Sequence, residues 1–294
     1  MADQASPSTL PTLPADLSLG YVHLTVSDLE RSLDYYQESL GFQVHQREGN
    51  TAHLGAGEAD LLLLTEQADA LPLTRTTGLY HFAILVPSRR DLAEVLDHLF
   101  STQSPVGGFA DHAVSEAIYL SDPDGNGIEI YRDRPRSDWY DKQGNFLLTT
   151  LPLDIDGVLS ELSGATRADH WAGLPKGTVL GHMHLKVATL AEAHHFYCEV
   201  LGFDLMLSYP GALFISAGGY HHHLGLNIWE SAGAPLPAAN AVGLRGFTVL
   251  LSSAADLAAI KDRLLKNNIA IDEGDQGFTV RDPFDNALIF RLKS

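Results

Sequence analysis

Three consecutive histidines, His221 to His223, lie inside the apolar stretch GYHHHLGLNIW (219–229), far from both ends of the chain. An imidazole can bind a metal ion or move a proton near neutral pH. Because side chains alternate along a strand, His221 and His223 would share a face with Asn227, and His222 would point the other way. The stretch therefore predicts a site that uses histidine chemistry. The alternatives are a polar strand edge or a site at the protein surface that binds metal adventitiously.

Composition narrows the kinds of site that this chain can build. Cys198 is the only cysteine, which excludes an internal disulfide, a zinc ribbon and a cysteine-bound iron–sulfur cluster. Any metal must therefore use histidine and carboxylate ligands. A formal net charge of −18 disfavours nucleic acid and anionic membranes as partners, because both would repel the protein. A small ligand, uncharged or chelated to a metal, suits this chain better.

The N-terminal stretch MADQASPSTLPTLPADLSLG has no basic start and no apolar core of a signal peptide. Nowhere do about 18 apolar residues run together, so no membrane span is expected. We therefore expect a cytoplasmic protein that begins with a flexible arm.

The elements that must position the histidines are repeated along the chain. Residues 21–42 align without gaps with residues 182–203, with identity at nine of 22 positions. Residues 78–100 align in the same way with residues 243–265, with identity at ten of 23 positions. Four related units follow from these two alignments.

Each unit opens with a short strand, continues into an amphipathic helix and ends in further strands. In the first unit, Ser27 with Glu30 predicts a capping box, and Gly41 predicts the end of the helix. The apolar stripe of this helix comprises Leu29, Leu33, Tyr36 and Leu40. A sheet with a helix on one face leaves its other face uncovered, so the units must face each other in pairs.

We therefore predict an α+β fold of four βαβββ modules, paired into two curved mixed-sheet clefts. The predicted division is an arm at 1–18, a first two-module domain at 19–133, a connection at 134–178 and a second two-module domain at 179–294.

Two motifs, the repeated LGF and DPDGNGIEIY at 122–131, resemble the vicinal oxygen chelate superfamily. This superfamily includes glyoxalase I, bleomycin-resistance proteins and extradiol ring-cleaving dioxygenases. The resemblance covers roughly residues 19–133 and 179–293. It implies the fold more specifically than the reaction.

The resemblance implies that metal ligands come from the opening and last strands of a unit. The opening strands offer Tyr21, His81, His182 and Gly246 at this position, and the last strands offer Glu129, Asn227 and Ile289 in the second, third and fourth units. Only the second and third units carry a ligand set, which comprises His81, Glu129 and His182. Two histidines and one carboxylate are typical of non-haem Fe(II) oxygenases, with Mn(II) as the alternative metal. The set can assemble only if the second and third units share a cleft.

The resemblance also implies three residues that act on the substrate. The stretch HHLGLN resembles the dioxygenase strand that carries an acid/base histidine, which by this match is His223. Tyr119, ten residues before Glu129, matches a tyrosine that hydrogen-bonds near the substrate, and His112 matches a histidine on a loop over the site.

The leading hypothesis is an extradiol dioxygenase, similar to catechol 2,3-dioxygenase, that cleaves a catechol-type or hydroquinone-type diol with O2. A glyoxalase-like isomerase or lyase is the alternative enzyme, disfavoured because Asn227 stands where that enzyme has a second carboxylate. A binding protein of the bleomycin-resistance type is the alternative without catalysis. The sequence leaves the oligomeric state open, a homo-oligomer included.

Overall fold

The computed structural model describes residues 11–163 and 171–293. Each of the four repeated units forms a strand, a helix and three further strands, as the repeats predict. The first unit contains β1 (Ser18–Val26), α1 (Leu29–Asp34), β2 (Gln43–Glu48), β3 (Thr51–Gly55) and β4 (Asp60–Glu66). The second contains β5 (Gly78–Leu85), α2 (Arg89–Ser101), β6 (Gly108–Asp111), β7 (Ser115–Ser121) and β8 (Gly127–Asp133).

The second half of the chain repeats this order after a connection. In the part that the structure describes, the connection contains two short 3-10 turns and α3 (Ile155–Leu159). The third unit contains β9 (Val179–Lys186), α4 (Leu190–His194) with a π-helical continuation (His195–Leu201), β10 (Asp204–Tyr209), β11 (Ala212–Ser216) and β12 (Leu224–Asn227). The fourth contains β13 (Gly243–Leu251), α5 (Ala254–Lys266), β14 (Ile271–Gly274), β15 (Gly277–Arg281) and β16 (Ala287–Leu292).

The strands form two eight-stranded mixed sheets, and each sheet combines units from different halves of the sequence. One sheet has the order β14-β15-β16-β13-β1-β4-β3-β2, which joins the first and fourth units. The other has the order β10-β11-β12-β9-β5-β8-β7-β6, which joins the second and third units. The second and third units therefore share a sheet within one chain, as the ligand positions require. This architecture confirms the predicted α+β fold of four paired modules.

The pairing of opening strands at the centre of each sheet positions the candidate site. Strands β5 and β9 run antiparallel, with His81 opposite His184 and Ala83 opposite His182. Strand β8 pairs in parallel with the other edge of β5, where Ala83 faces Glu129. Three neighbouring strands thus carry the three predicted ligands.

The first helix differs from the prediction at its start. The predicted capping box at Ser27 is wrong, because Asp28 is the N-cap and its carboxylate accepts a 3.0 Å hydrogen bond from the Arg31 backbone N–H. The Ser27 hydroxyl instead donates to Asp124, at 2.6 Å, in a turn of the second unit. The helix also continues as a π-helical turn over Tyr35–Ser39 and ends at Gly41, whose φ is 76°. The predicted apolar stripe is buried.

Buried tyrosines on the helices of the first and third units tie together units that belong to different sheets. The hydroxyl of Tyr36 donates to Asp122 at 3.0 Å, and that of Tyr197 donates to Asp282 at 2.8 Å. Each aspartate also accepts backbone N–H groups of its own turn, such as that of Asn126. These contacts link the first unit to the second and the third to the fourth.

The part of the N-terminal arm that the structure describes packs against the body of the protein. Leu13 and Leu17 are buried, and the Leu13 N–H donates to the Gly202 carbonyl at 3.1 Å. The first ten residues of the predicted arm lie outside the described residues. Within residues 11–163 and 171–293, no helix combines the length and apolarity that crossing a bilayer requires.

Candidate metal centre

His81, Glu129 and His182 converge on one point of the sheet that joins the second and third units. Glu129 Oε2 lies 3.0 Å from His81 Nε2 and 3.2 Å from His182 Nε2. The two Nε2 atoms are 3.4 Å apart. All three side chains are buried. They are the one group of three or more metal-ligating side chains that the described residues bring this close together.

The mutual distances fit three ligands on one face of an octahedral ion. Metal–ligand bonds of about 2.1 Å that meet at right angles place neighbouring donor atoms about 3.0 Å apart. The observed separations of 3.0, 3.2 and 3.4 Å are close to this value. A facial set leaves the opposite face of the ion open for other ligands. The geometry therefore suits a catalytic ion better than a closed structural site.

The electrostatics of the group favour a bound cation. Burial opposes ionisation of Glu129, but His182 and His81 outweigh burial, so the pKa of the carboxyl lies well below its ordinary value. Burial lowers the pKa of His182 to about 4, which leaves a neutral imidazole with a free lone pair. The buried Glu129 carboxylate carries a negative charge that a divalent cation would neutralise. The donor set thus fits a divalent metal.

One buried donor atom of the group is unpaired. His182 Nδ1 has no hydrogen-bond partner among the described residues. Metal-bound histidines usually donate this second N–H to an acceptor, which fixes the orientation of the ring. Here the ring is held instead by packing, with ring centroids of Tyr131 and His222 at 4.8 Å and 4.2 Å.

A cavity of about 710 Å³ opens above the three ligand atoms. Its walls include the aromatic side chains of Tyr80, Phe214 and Trp229. The connection between the two halves contributes a further wall through Leu148, Thr149 and Thr150. This size and lining suit a small aromatic molecule.

Tyr119 and His112 form a hydrogen-bonded pair at the cavity wall. His112 Nδ1 lies 2.6 Å from the Thr149 carbonyl oxygen, so it must carry the proton of the neutral ring. His112 Nε2 then accepts a 2.6 Å hydrogen bond from the Tyr119 hydroxyl. Burial, with the nearby Glu129 charge, raises the pKa of Tyr119 well above its ordinary value. Both residues therefore lie at the cavity wall, and their roles stay predictions.

The positions of the three consecutive histidines differ from those that strand alternation predicts. Strand β12 begins only at Leu224, so the alternating pattern does not extend back to residues 221–223. His222 lines the cavity, and its ring centroid lies 4.2 Å from that of His182. His223 is not among the lining residues, and its Nδ1 accepts the Ala217 N–H at 3.2 Å. The structure thus brings His222 rather than His223 to the cavity.

Two further cavity residues follow His182 along the same face of β9. His184 contacts His81 at a ring-centroid distance of 4.9 Å, and burial lowers its pKa well below the ordinary value. Lys186 is half-buried at the cavity wall, and burial lowers its pKa. The period of two along a strand was the sequence signal for both residues.

Comparison with known proteins agrees with this architecture. The model of the Glyoxalase/Bleomycin resistance protein/Dioxygenase superfamily matches residues 18–130 and 179–290. The chain belongs to this superfamily.

Within the Glyoxalase/Bleomycin resistance protein/Dioxygenase superfamily, the chain is 46% identical to a catechol-2,3-dioxygenase of Bacillus subtilis (strain 168), over 95% of this chain and 99% of that protein. Among solved structures, a putative dioxygenase from Bacillus subtilis has a TM-score of 0.64 at 11% identity, covering 96% of this chain and 86% of that one. Glyoxalase I from Zea mays has a TM-score of 0.55 at 16% identity, covering 94% and 92%. The two structures support the shared fold.

Asn227 stands where the sequence predicts that a glyoxalase-like enzyme would carry a second carboxylate. The residue is fully buried. Its side-chain oxygen accepts the Trp229 N–H at 3.2 Å, and its side-chain nitrogen has no partner among the described residues. The group of three ligands therefore has no fourth carboxylate at Asn227.

Proposed function

We propose that this protein is a metal-dependent extradiol ring-cleaving dioxygenase that acts on a catechol-type or hydroquinone-type diol with O2. The observation that carries the proposal is the facial set of His81, Glu129 and His182 at the base of a 710 Å³ aromatic cavity. The name of the 46% identical relative supports the reaction and the substrate class, since the two chains match over almost their whole length.

His81, Glu129 and His182 would hold the metal, with Fe(II) as the first choice and Mn(II) as the alternative. When bound, such a metal ion supplies the open positions and the electron transfer that join a diol to dioxygen. Two imidazoles and a carboxylate suit either ion, so elemental analysis of the purified protein is needed to distinguish Fe(II) from Mn(II).

The remaining residues of the cavity would bind and orient the diol. Tyr80, Phe214 and Trp229 would pack against the aromatic ring and exclude water. Tyr119, whose raised pKa keeps its hydroxyl protonated, would turn its one proton from His112 to a substrate oxygen when the diol binds.

We assign proton transfer to His222, because its ring lines the cavity beside His182. Burial lowers the pKa of His222 well below its ordinary value, so its ring is neutral and can accept a proton at a nitrogen atom. His223, which the sequence predicts for this role, is the alternative assignment and needs its own variant.

The test is a reaction of anaerobically purified protein, loaded with Fe(II) or Mn(II), with catechol and a panel of hydroquinones. We expect one O2 consumed per diol and a yellow ring-opened product from catechol. His222→Ala should slow this reaction severely while sparing metal content, and His223→Ala should slow it much less. His195→Ala, at an exposed helix position, is the matched control. No oxygen uptake with any diol in the metal-loaded protein would refute the dioxygenase proposal.

Two alternatives predict different results in the same preparation. A glyoxalase-like enzyme would isomerise a thiol adduct without oxygen uptake, and Asn227 at the second carboxylate position speaks against it. A drug-binding protein would bind an aromatic ligand equally well after substitution of all three metal ligands. The cytoplasmic location, the oligomeric state and the division into domains at 19–133 and 179–294 stay predictions.

A further inference from the structure

Behind the cavity, His222 is linked to an acidic residue through a second imidazole. His222 Nδ1 lies 2.8 Å from His221 Nδ1, and His221 Nε2 lies 2.8 Å from Asp133 Oδ1. The other carboxylate oxygen, Asp133 Oδ2, accepts a 2.9 Å hydrogen bond from the Tyr220 hydroxyl. Asp133 is the last residue of β8, the strand that also carries Glu129.

The proton positions along these contacts follow from donor and acceptor chemistry. A carboxylate only accepts hydrogen bonds, so His221 Nε2 carries a proton. In a neutral ring, His221 Nδ1 is then an acceptor, and the 2.8 Å contact between the two Nδ1 atoms requires the proton to sit on His222. A neutral His222 with a proton on Nδ1 has its free lone pair on Nε2, at the opposite edge of the ring.

The surroundings hold this arrangement rigidly. His221 is completely buried, and Trp139 packs edge-on against its ring with centroids 5.2 Å apart. Tyr220 also shares a 2.8 Å hydrogen bond with the Tyr131 hydroxyl. A Cβ atom at Gly181 would overlap the Tyr131 hydroxyl, so the absence of a side chain next to His182 leaves space for Tyr131.

We propose that Asp133 and His221 are positioning residues that fix the tautomer of His222, with the proton on Nδ1 and the lone pair of Nε2 free for the reaction. This proposal rests on the proton-transfer role of His222 in the proposed function. Neither Asp133 nor His221 lines the cavity, so both act through His222 alone.

The first test reads the tautomer directly and needs no activity. The full-length, metal-free protein is labelled with 15N-histidine, and two-bond 1H–15N correlation spectra assign protonated and unprotonated ring nitrogens. The His222 signals are identified by their loss in His222→Gln. We expect a protonated Nδ1 and an unprotonated Nε2. The opposite tautomer in the wild-type protein would overturn the proposal, and this measurement does not depend on the folding of an Asp133 variant.

The second test inverts the tautomer with Asp133→Asn. Tyr220 donates to the oxygen of the new amide, so the amide nitrogen faces His221 Nε2 and forces it to become an acceptor. His221 then carries its proton on Nδ1 and donates to His222, whose own proton moves to Nε2. We expect the inverted 15N pattern, with kcat reduced about tenfold or more and KM nearly unchanged. Asp138→Asn, an exposed neighbour, is the matched control for both readouts.

An unchanged tautomer in folded Asp133→Asn would overturn the proposal. An inverted tautomer with wild-type kcat would also overturn it, because the tautomer would then be irrelevant to the reaction. If the wild-type protein shows no oxygen uptake with any diol, the proposed function fails, whereas the NMR result for the tautomer stands on its own.

Discussion

At the base of the cavity, one buried carboxylate faces two imidazoles at hydrogen-bonding distance. Glu129 alone brings a full negative charge to this group, and burial makes that charge costly unless a cation compensates it. The charge of Glu129 and the lone pairs of the two imidazoles together make the site selective for a divalent ion.

Glu129→Gln should remove the metal site while keeping its shape. The amide is a much weaker ligand than the carboxylate, so we expect the metal content after dialysis to fall from one ion per chain to nearly none. Elemental analysis measures this loss. Glu199→Gln, an exposed acid on the third-unit helix, should keep its metal. Full metal occupancy in Glu129→Gln would remove Glu129 from the ligand set.

Tyr119 faces the ligands from the neighbouring strand, and its role is separable from metal binding. Because Tyr119→Phe removes one hydrogen-bond donor to the substrate, we expect kcat to fall about tenfold to a hundredfold with unchanged metal content. Steady-state oxygen uptake and metal analysis on the same sample check both parts. Tyr140→Phe, at an exposed position of the connection, is the control. If Tyr119→Phe has the kcat of the wild-type protein, the Tyr119 hydroxyl takes no part in the reaction and the role of this residue is structural.

At the scale of elements, the ligands depend on the close approach of three neighbouring strands. Gly127 on β8 lies opposite His81 on β5. A Cβ atom there would overlap the Tyr80 carbonyl and lie only 3.0 Å from the His81 Cβ. The missing side chain therefore lets β8 approach the strand that carries His81.

Gly127→Ala should push these two strands apart. We expect a loss of about 1–3 kcal/mol in the free energy of unfolding, the usual cost of overpacking, together with weaker metal binding. Urea denaturation and metal titration measure the two effects. Gly108→Ala, on edge strand β6, where an added Cβ would have no atom within 4 Å, should change neither. Equal stability of both variants would contradict this account of strand spacing.

At the scale of the whole molecule, the halves of the sequence interlock. Each half contributes one unit to each sheet, while the tyrosine–aspartate contacts of Tyr36 and Tyr197 link the units within a half. A defect in either half therefore affects both sheets. The active cavity lies in the sheet shared by the second and third units, and the connection closes one of its walls.

The buried histidines make the stability of the molecule depend on pH. Burial lowers the pKa of His182 and His223 from 6.5 to about 4, and it lowers the pKa of His184 and His222 well below the ordinary value. The unfolded chain therefore takes up protons at a higher pH than the folded chain. The free energy of unfolding is fully retained above pH 6.5 and is lost progressively as the pH falls towards 4.

Each such histidine should lower the free energy of unfolding by about 1.4 kcal/mol for each pH unit that the pH falls within this range. Urea midpoints of the metal-free protein, measured with a chelator between pH 8 and pH 4.5, test this slope. His223→Gln should flatten the slope, and the exposed His195→Gln should not. A midpoint that does not change between pH 7 and pH 5 would contradict the neutral state of these rings.

Much of the site could be predicted because the repeats place equivalent residues at equivalent strand positions. The resemblance to the vicinal oxygen chelate superfamily then implies His81, Glu129 and His182 as metal ligands at those positions, and it also implies the roles of Tyr119 and His112. The prediction for His223 relied on the resemblance of HHLGLN to a dioxygenase strand, with strand alternation pointing the ring into the cleft. The chain bends at His223, directly before β12 begins at Leu224, so the bend decides which ring reaches the cavity.

The sequence by itself determined the four units, their strand and helix order and the ligand-type residues, because apolar periodicity and repetition are local properties of the chain. Only the tertiary structure decided that the second and third units share a sheet, that His222 lies beside His182, and that His221 joins it to Asp133. These facts depend on contacts between residues up to about a hundred positions apart. Such contacts exist only after the sheets have formed, and no local pattern encodes them.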